Sequence, residues 1–591
     1  MSSERRRHSW LVVALAVALT GCAGEPESPS GPDKERAPDT SPPKTGGSTI
    51  TVTVVPEPTV TVETTDLGDM EAFELTVDPP GATFVDTIEV TLAATEPGVA
   101  IYYTDDGSLP TAGGARTYTG PIVVQDSTLI RAVSVVQGQE LHGTATFLEL
   151  EAATAQVDSN LPQVVLWSNG PAPDDKEEEY EPFTLSTFEP AASGRVTWPA
   201  TASLSVIAGL KVRGSSSAGY PKKPYRVEAW DPSSDLQEDL SIPLLGMPED
   251  GDWVLLAPLS FDRALMRNAL MYNLSNAVGR YAARTRFAEV FVAENGERLG
   301  GLDYQGVYVV VERVERGPDR VDITALLAGD VQEPELSGGY LFKEDRTGPG
   351  EAGFTAGTAG GVFDFEQPFV AVDPGESELE PEQSDYLVAL LDELGDALAS
   401  ADFIHPDTGR HYDEIIDVDS WIDHHILNVF AKNPDAFRLS GYFHKDRLAL
   451  LHSGPIWDFD RTMGCDEDSR AEDPTWWDPT NETGDATYVF EHGFWLGLFR
   501  DPVFRSRYWA RWEHLIQGEL SEAAIFAVID GFAVELEEAA PRNYAAWPSY
   551  APRGGSLESE VDLLKDWISW RLLWVEGCLQ LADPRTCPGS S

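Results

Sequence analysis

The stretch from residue 419 to residue 464 constrains this chain most. DSWIDHHILNVFAK (419–432) spaces its apolar residues near 3.6 and predicts a helix. Pro434 disfavours its continuation, so Asn433-Pro434-Asp435 is a loop. LSGYFHK then reads as a strand, Asp446-Arg447 as a tight turn and LALLH as the returning strand. GPIWDFDRTMG leaves that strand with Asp458 and Asp460 one residue apart beside Trp457 and Phe459. A hairpin brings the chain back to where it began, so Asp435 and Asp458 are predicted neighbours. Carboxylates so placed either tie down a turn or hold a metal ion.

With 591 residues the chain exceeds what one core serves, so two or more domains are expected. Its 98 acidic and 42 basic residues give a net charge of −56, which excludes nucleic acid and anionic lipid surfaces as natural partners. The charge is also that of a soluble or salt-adapted surface. Arg5, Arg6 and Arg7 precede a short apolar run, Trp10 to Leu19, in the manner of a signal peptide. The run closes on Leu19-Thr20-Gly21-Cys22, which resembles a bacterial lipobox. The resemblance implies cleavage after residue 22's predecessor, a lipid on Cys22 and a membrane-anchored protein exported to the outer membrane or cell surface. Ala23 is not the aspartate of an inner-membrane retention cue. Residues 23–67 are rich in Pro, Ser, Gly and Thr and read as a tether. Of the remaining cysteines, Cys578 and Cys587 are close enough to staple the C-terminal tail, leaving Cys465 over.

From 68 to 152 short alternating runs separated by Pro, Gly and Asp predict a small all-β sandwich. Its central motif, IYYTDDGSLPT (101–111), with PPGATF before and YTGPI after, resembles the C-terminal β-domain of chitobiases and hexosaminidases. That domain is an accessory, so Asp105 and Asp106 read as turn residues, with cell-wall or carbohydrate contact left open. From 158 to 582 the pattern is α+β, with strands such as QVVLW, YRVEAW and GVYVVVERV leading and helices following. Stretches 346–380 and 465–487 are Gly-rich and acidic and read as surface loops.

A loop aspartate, a hairpin and a second aspartate follow the logic of a phosphotransfer site. The first positions the acceptor hydroxyl and the second binds Mg²⁺ against nucleotide phosphates. Phosphates also need cations. Arg213 opens a Gly-Ser-rich turn, and Lys222 and Lys223 begin a strand. Each reads equally as phosphate ligand or plain surface turn. Arg267 reads as a phosphate ligand or as half of a buried Arg–Asp pair. Glu312 orients a lysine or ends a strand at the surface. His424 and His425 lack metal-ligand spacing and read as helix or core residues. The run DDKEEEYE (174–181) reads as a solvated loop, and Trp476 and Trp477 read as packing.

Seven stretches then carry a resemblance: RGSSS (213–217), PKKPY (221–225), DWVL (252–255), MRN (266–268), GVY (306–308), NPD (433–435) and GPIWDFD (454–460). In this order the chain resembles the CotH kinase family of spore-coat-type atypical kinases. The resemblance implies an atypical protein-kinase-like domain that uses ATP with Mg²⁺ or Mn²⁺. It implies Asp435 as catalytic aspartate, Asp458 and Asp460 as metal ligands, and Arg213, Lys222, Lys223, Arg267 and Glu312 on the nucleotide side. The acceptor would be Ser or Thr of a protein at the cell envelope. After Asp435 the chain reads AFRLSGYF, without the asparagine many kinase catalytic loops carry there. That absence favours a second reading, a non-catalytic surface or coat binding protein. A third, glycoside hydrolysis, rests on the accessory module alone.

Overall fold

The computed structural model describes residues 73–110, 114–176, 179–235, 237–348, 353–375, 377–480 and 487–587. All lie in the compact unit Glu71–Ser591. The signal peptide, Cys22 and the tether lie outside the described residues. No described helix is long and apolar enough to cross a membrane.

The first eight strands are β1 (Leu75–Asp78), β2 (Ala82–Phe84), β3 (Ile88–Ala94), β4 (Ile101–Thr104), β5 (Arg116–Thr117), β6 (Ile122–Val124), β7 (Thr128–Val136) and β8 (Gln139–Glu149). They form two sheets, β1-β3-β6 and β2-β8-β7-β4-β5. Alternation drives this: Val90 and Leu92 point inward on β3 while their neighbours stay in water. Val90, Ile130, Ala145 and Phe147 fill the space between the sheets. After β4 the Asp106 carboxylate accepts from the Ser108 N–H (3.0 Å) and hydroxyl (2.6 Å), and Gly107 takes φ +79°. Asp106 is thus a turn residue, as its sequence context suggests. Beyond β8 the chain forms a two-stranded ribbon of β9 (Asp158–Ser159) and β12 (Val196–Thr197) beside a larger element.

That element is a closed barrel. Its strands are β10 (Gln163–Trp167), β11 (Glu181–Phe188), β13 (Leu204–Val212), β14 (Tyr225–Trp230), β15 (Asp252–Leu256), β16 (Thr285–Ala293) and β17 (Tyr304–Glu312). The order is β10-β11-β13-β14-β15-β17-β16, closed by parallel pairing of β10 with β16. Val164 and Leu166 of β10 face the barrel core with Trp253, Leu255 and Tyr308, while Val165 and Trp167 face Leu148 of β8 and Trp198. Both faces are buried, which is why QVVLW carries no alternation.

A third sheet follows, β19-β18-β20-β21, from β18 (Tyr340–Glu344), β19 (Phe369–Asp373), β20 (Gly441–Lys445) and β21 (His452–Ser453). The helices are α1 (Arg267–Ala277), α2 (Pro381–Ala399), α3 (Val418–Ala431), α4 (Phe494–Leu498), α5 (Pro502–Gln517), α6 (Glu522–Leu536), α7 (Ala539–Ala546) and α8 (Leu557–Leu579); α3 packs on β21, α7 on barrel strand β17, and α6 and α5 on α8. Two loop expectations fail here. Residues 346–380 contain β19, whose Phe369 and Val370 are buried beside Phe342. Residues 465–487 include buried Cys465, Ala471 and Trp477. Trp477 donates from its indole N–H to the Pro584 carbonyl at 2.9 Å and packs edge-on to Trp574. The acid in that stretch is balanced by local arginines, as when Arg470 bonds Asp468 at 2.6 Å, so it does not force the segment into water.

Cys578, on α8, is joined to Cys587 across nine positions, and Cys465 is free and buried. So short a loop removes little chain entropy, about 2.5 kcal/mol. Reduction is expected to lower the thermal midpoint by only a few degrees, checked by calorimetry with and without a phosphine reductant.

Candidate active site

Helix α3 begins at Asp417, whose carboxylate accepts from the Ser420 N–H at 2.7 Å. It ends at Lys432, in the left-handed region at φ +49°, two residues before Pro434. In the loop that follows, the Asn433 Oδ1 accepts from the Asp435 N–H at 3.1 Å. The Asn433 Nδ2 donates to Asn428 Oδ1 at 3.1 Å and reaches the Asp458 carbonyl at 3.4 Å. One asparagine therefore joins the Asp435 loop to the Asp458 segment. The hairpin between them is real but lopsided: β20 is five residues, β21 is two, and the turn has moved to Arg447-Leu448, where Leu448 takes φ +55°.

GPIWDFD is held from both sides. Trp457 stacks on Tyr272 of α1 (5.5 Å between centroids, 18° between planes). Phe459 is fully buried, and its N–H donates to Asn268 Oδ1 at 2.7 Å. Between these anchors Asp458 sits at φ +66°, a left-handed conformation that a short polar side chain tolerates. The residue keeps an exposed edge, yet protein crowds densely around its carboxylate. That crowding raises its pKa above the usual aspartate value; Arg213 and Arg461 pull it down, and Asp435 and Asp345 push it up. Asp460 is pushed up further, by burial first and then by Asp458. Asp435, Asp458 and Asp460 thus feel one another's charge. The Asp435 carboxylate accepts from Arg438 Nη2 at 2.7 Å, with Arg470 at 3.7 Å.

Across the cleft lies the turn between β13 and β14. The Arg213 N–H donates to the Pro224 carbonyl at 3.0 Å, and the Arg213 guanidinium lies 5.5 Å from the Trp457 ring centroid. Gly214 has φ +92°, and a Cβ there would stand 2.1 Å from Ser217 Oγ, so only glycine fits. The structure thus brings Arg213 and its turn to Asp458.

The other cation-side candidates are used elsewhere. Lys222 is buried, and its ammonium donates to the Pro258 carbonyl (3.0 Å), the Val307 carbonyl and Asn543 Oδ1 (2.9 Å). All three of its N–H groups are spent inside the protein, so it is not a phosphate ligand in this structure. Burial drives its pKa well below the usual lysine value. Lys223 donates to the Ala218 carbonyl at 2.8 Å and braces the turn from behind. Glu312 is fully buried against Arg284 and the Tyr281 hydroxyl (3.1 Å), so it is neither a surface residue nor a lysine's partner. Arg267 takes the structural option: it is fully buried, pairs with Asp262 at 2.9 Å and donates to the Thr462 carbonyl at 3.0 Å. His424 and His425 are core residues. The sequence reading missed Asp345, Arg438 and Arg470, all of which lie within reach of the aspartates; the first and last sit at edges of stretches taken for loops.

Among the described residues, one set of three carboxylates gathers its oxygens within 4.8 Å: Asp250, Asp252 and Glu315. Arg313 (3.0 Å from Asp252) and Arg320 (2.8 Å from Asp250) already neutralise it. Asp458 is the more open carboxylate. That suits Mg²⁺, which takes one or two carboxylates and completes its shell with phosphate and water.

Residues 210–575 match the model of the CotH kinase protein family, and residues 79–146 match that of the chitobiase/beta-hexosaminidase C-terminal domain. No curated protein gives a significant match. Among solved structures, a chimeric titin Z1Z2 functionalized with a KLER exogenous peptide from decorin aligns at 10% identity over 26% of this chain and 88% of its own. Its TM-score of 0.11 is too low to carry any argument. With its matched region spanning more than half its length and holding both the Arg213 turn and the Asp458 segment, this chain belongs to the CotH kinase family.

Proposed function

We propose that the protein is an exported, lipid-anchored atypical protein kinase that moves a phosphoryl group from ATP to a Ser or Thr hydroxyl of an envelope protein. The observation that carries this reading is the Asn433 bridge, which sets the Asp435 loop against the backbone of Asp458 beneath the Arg213 turn. The barrel and the helical part then act as the two sides of a kinase-like cleft. Asp458 and Asp460 would hold Mg²⁺ or Mn²⁺, and ATP supplies the phosphoryl group. Asp435 orients the acceptor hydroxyl and takes its proton. Arg438, bonded to the same carboxylate, fixes its rotamer. Trp457 and Phe459 keep the two metal-side carboxylates from swinging away. Asp460 stands in for the asparagine that the catalytic loop lacks. The lipid on Cys22 and the tether would place the site outside the cytoplasmic membrane, with the β-sandwich available for wall contact.

The second reading is a surface binding protein with a vestigial site. The pairing of Asp435 with Arg438, and the nearness of Arg470, favour it, because guanidinium groups already occupy the carboxylate that would receive the hydroxyl proton. Incubating the whole chain with labelled ATP and Mg²⁺ separates the two. Wild type is expected to transfer label and Asp435→Asn to lose at least about 10²-fold in rate while keeping nucleotide affinity. Wild type that neither binds nor transfers leaves the binding protein standing.

A further inference from the structure

Three arginines from three separate stretches converge on the turn beside Asp458. Arg213 opens the turn after β13. Arg346, just beyond β18, donates from Nη1 to Ser215 Oγ at 3.2 Å. Arg461, next to Asp460, donates from Nη2 to Ser216 Oγ at 3.0 Å and lies 4.0 Å from the Phe261 ring centroid.

Arg213 and Arg461 act on the Asp458 charge from a distance, but close carboxylate partners are scarce for all three. The chain carries 98 acidic residues to 42 basic ones, and most of its described arginines pair with a carboxylate. Among the described residues Arg213 and Arg346 form no ion pair, and the carboxylate paired with Arg461, that of Asp468, is 3.8 Å away. Unpaired guanidinium groups in so acidic a protein mark a place where an anion is wanted. Arg346 is exposed and Arg461 half-buried, so both can reach a ligand in the cleft. Asp458 and Asp460 stand in the same cleft and repel a bare anion. The anion that suits both halves is one that brings its own divalent cation. The buried, fully bonded Lys222 cannot serve it.

We infer that Arg213, Arg346 and Arg461 form a guanidinium clamp on the polyphosphate chain of a metal-bound nucleotide, the task that the sequence pattern suggests for Lys222. This inference rests on the reading of the cleft as a nucleotide site. Ser215 and Ser216 hold two of the guanidinium groups in place, and phosphate oxygens would take over those hydrogen bonds. Planar, two-pronged donors match phosphate geometry better than an ammonium does.

The test is calorimetric titration of the purified whole chain with ATP, ADP, AMP and inorganic tripolyphosphate, each with and without Mg²⁺. Arg346→Gln and Arg461→Gln are compared with wild type and with Arg286→Gln, an exposed arginine on β16 that donates only to the Thr285 carbonyl. Circular dichroism confirms that each variant is folded. Both clamp variants are expected to lose at least about tenfold in affinity for Mg-ATP and Mg-tripolyphosphate, with AMP affected least. Arg286→Gln is expected to match wild type. If wild type binds Mg-ATP and both clamp variants bind it equally well, the clamp is overturned and the nucleotide site stands. Equal binding of tripolyphosphate with and without Mg²⁺ also overturns it, since the site would then be a simple anion patch. If wild type binds no nucleotide or tripolyphosphate at all, both readings fall together.

Discussion

Asp458→Asn is expected to lose on the order of 10³-fold in phosphate transfer and to melt higher than wild type when no divalent ion is present. The two effects have one cause. Crowding and the neighbouring Asp435 raise the Asp458 pKa, and Asp460 is raised further still by burial and by Asp458. Each carboxyl therefore ionises at a higher pH in the folded chain than in the unfolded one. Folding then opposes ionisation: stability falls as pH rises from the ordinary aspartate value through the folded value, and the penalty is full above it. Above its folded pKa each group is charged at a cost to the fold, which protonation or a bound cation relieves. Asparagine keeps the shape, tolerates the left-handed backbone at this position as aspartate does, and drops the charge. Thermal unfolding of wild type, Asp458→Asn and Asp460→Asn across pH 4 to 8, with and without Mg²⁺, checks this. The variants should gain most at the alkaline end, the gain should shrink on acidification, and Mg²⁺ should raise wild type alone. An Asp458→Asn that melts lower than wild type at pH 7 without metal would show that the carboxylate is a structural turn group.

The order of α3, the Asp435 loop, β20 and the Asp458 segment was legible because the apolar period changes from 3.6 to 2 across Asn433-Pro434. Trp457 and Phe459 alternate with the aspartates, and the structure uses them as anchors. The barrel was not legible. Its closure pairs β10 with β16, which are far apart in sequence, and β11 (EPFTLSTF) hides its inward Phe183 and Leu185 among hydroxyls. Lys222 misled for a physical reason: its acceptors come from Pro258, Val307 and Asn543, which no local pattern connects. Phe369 and Val370 were lost in a glycine-rich stretch, and Arg346 with them. Arg461 was in plain view beside Asp460, but its meaning depends on Ser216, which the chain brings back from the other side of the cleft.

Arg267→Met is expected to destabilise the protein by about 3–5 kcal/mol, because it strands a buried aspartate. Arg267 is fully buried and Asp262 is 2% exposed, with 2.9 Å between their charged groups. Asp262 also accepts from the Arg267 N–H at 2.8 Å, which fastens the start of α1. From that position the guanidinium holds the Thr462 and Met463 carbonyls, immediately downstream of Asp460. The pair is thus the clasp between α1 and the end of the metal-side segment. A phosphate ligand at this position would behave otherwise: its loss would weaken nucleotide binding and leave the fold intact. Combining Arg267→Met with Asp262→Leu separates the parts. Removing both charges should recover most of the loss, since an apolar pair can replace a buried ion pair. The remainder is the Thr462 and Met463 carbonyls left without a donor and the N–H at position 267 left without its acceptor. Chemical denaturation of the two single variants and the double variant gives the coupling directly. If the double variant is no more stable than Arg267→Met, the carbonyl grip outweighs the ion pair, and Arg267 acts chiefly by tying down the chain after Asp460.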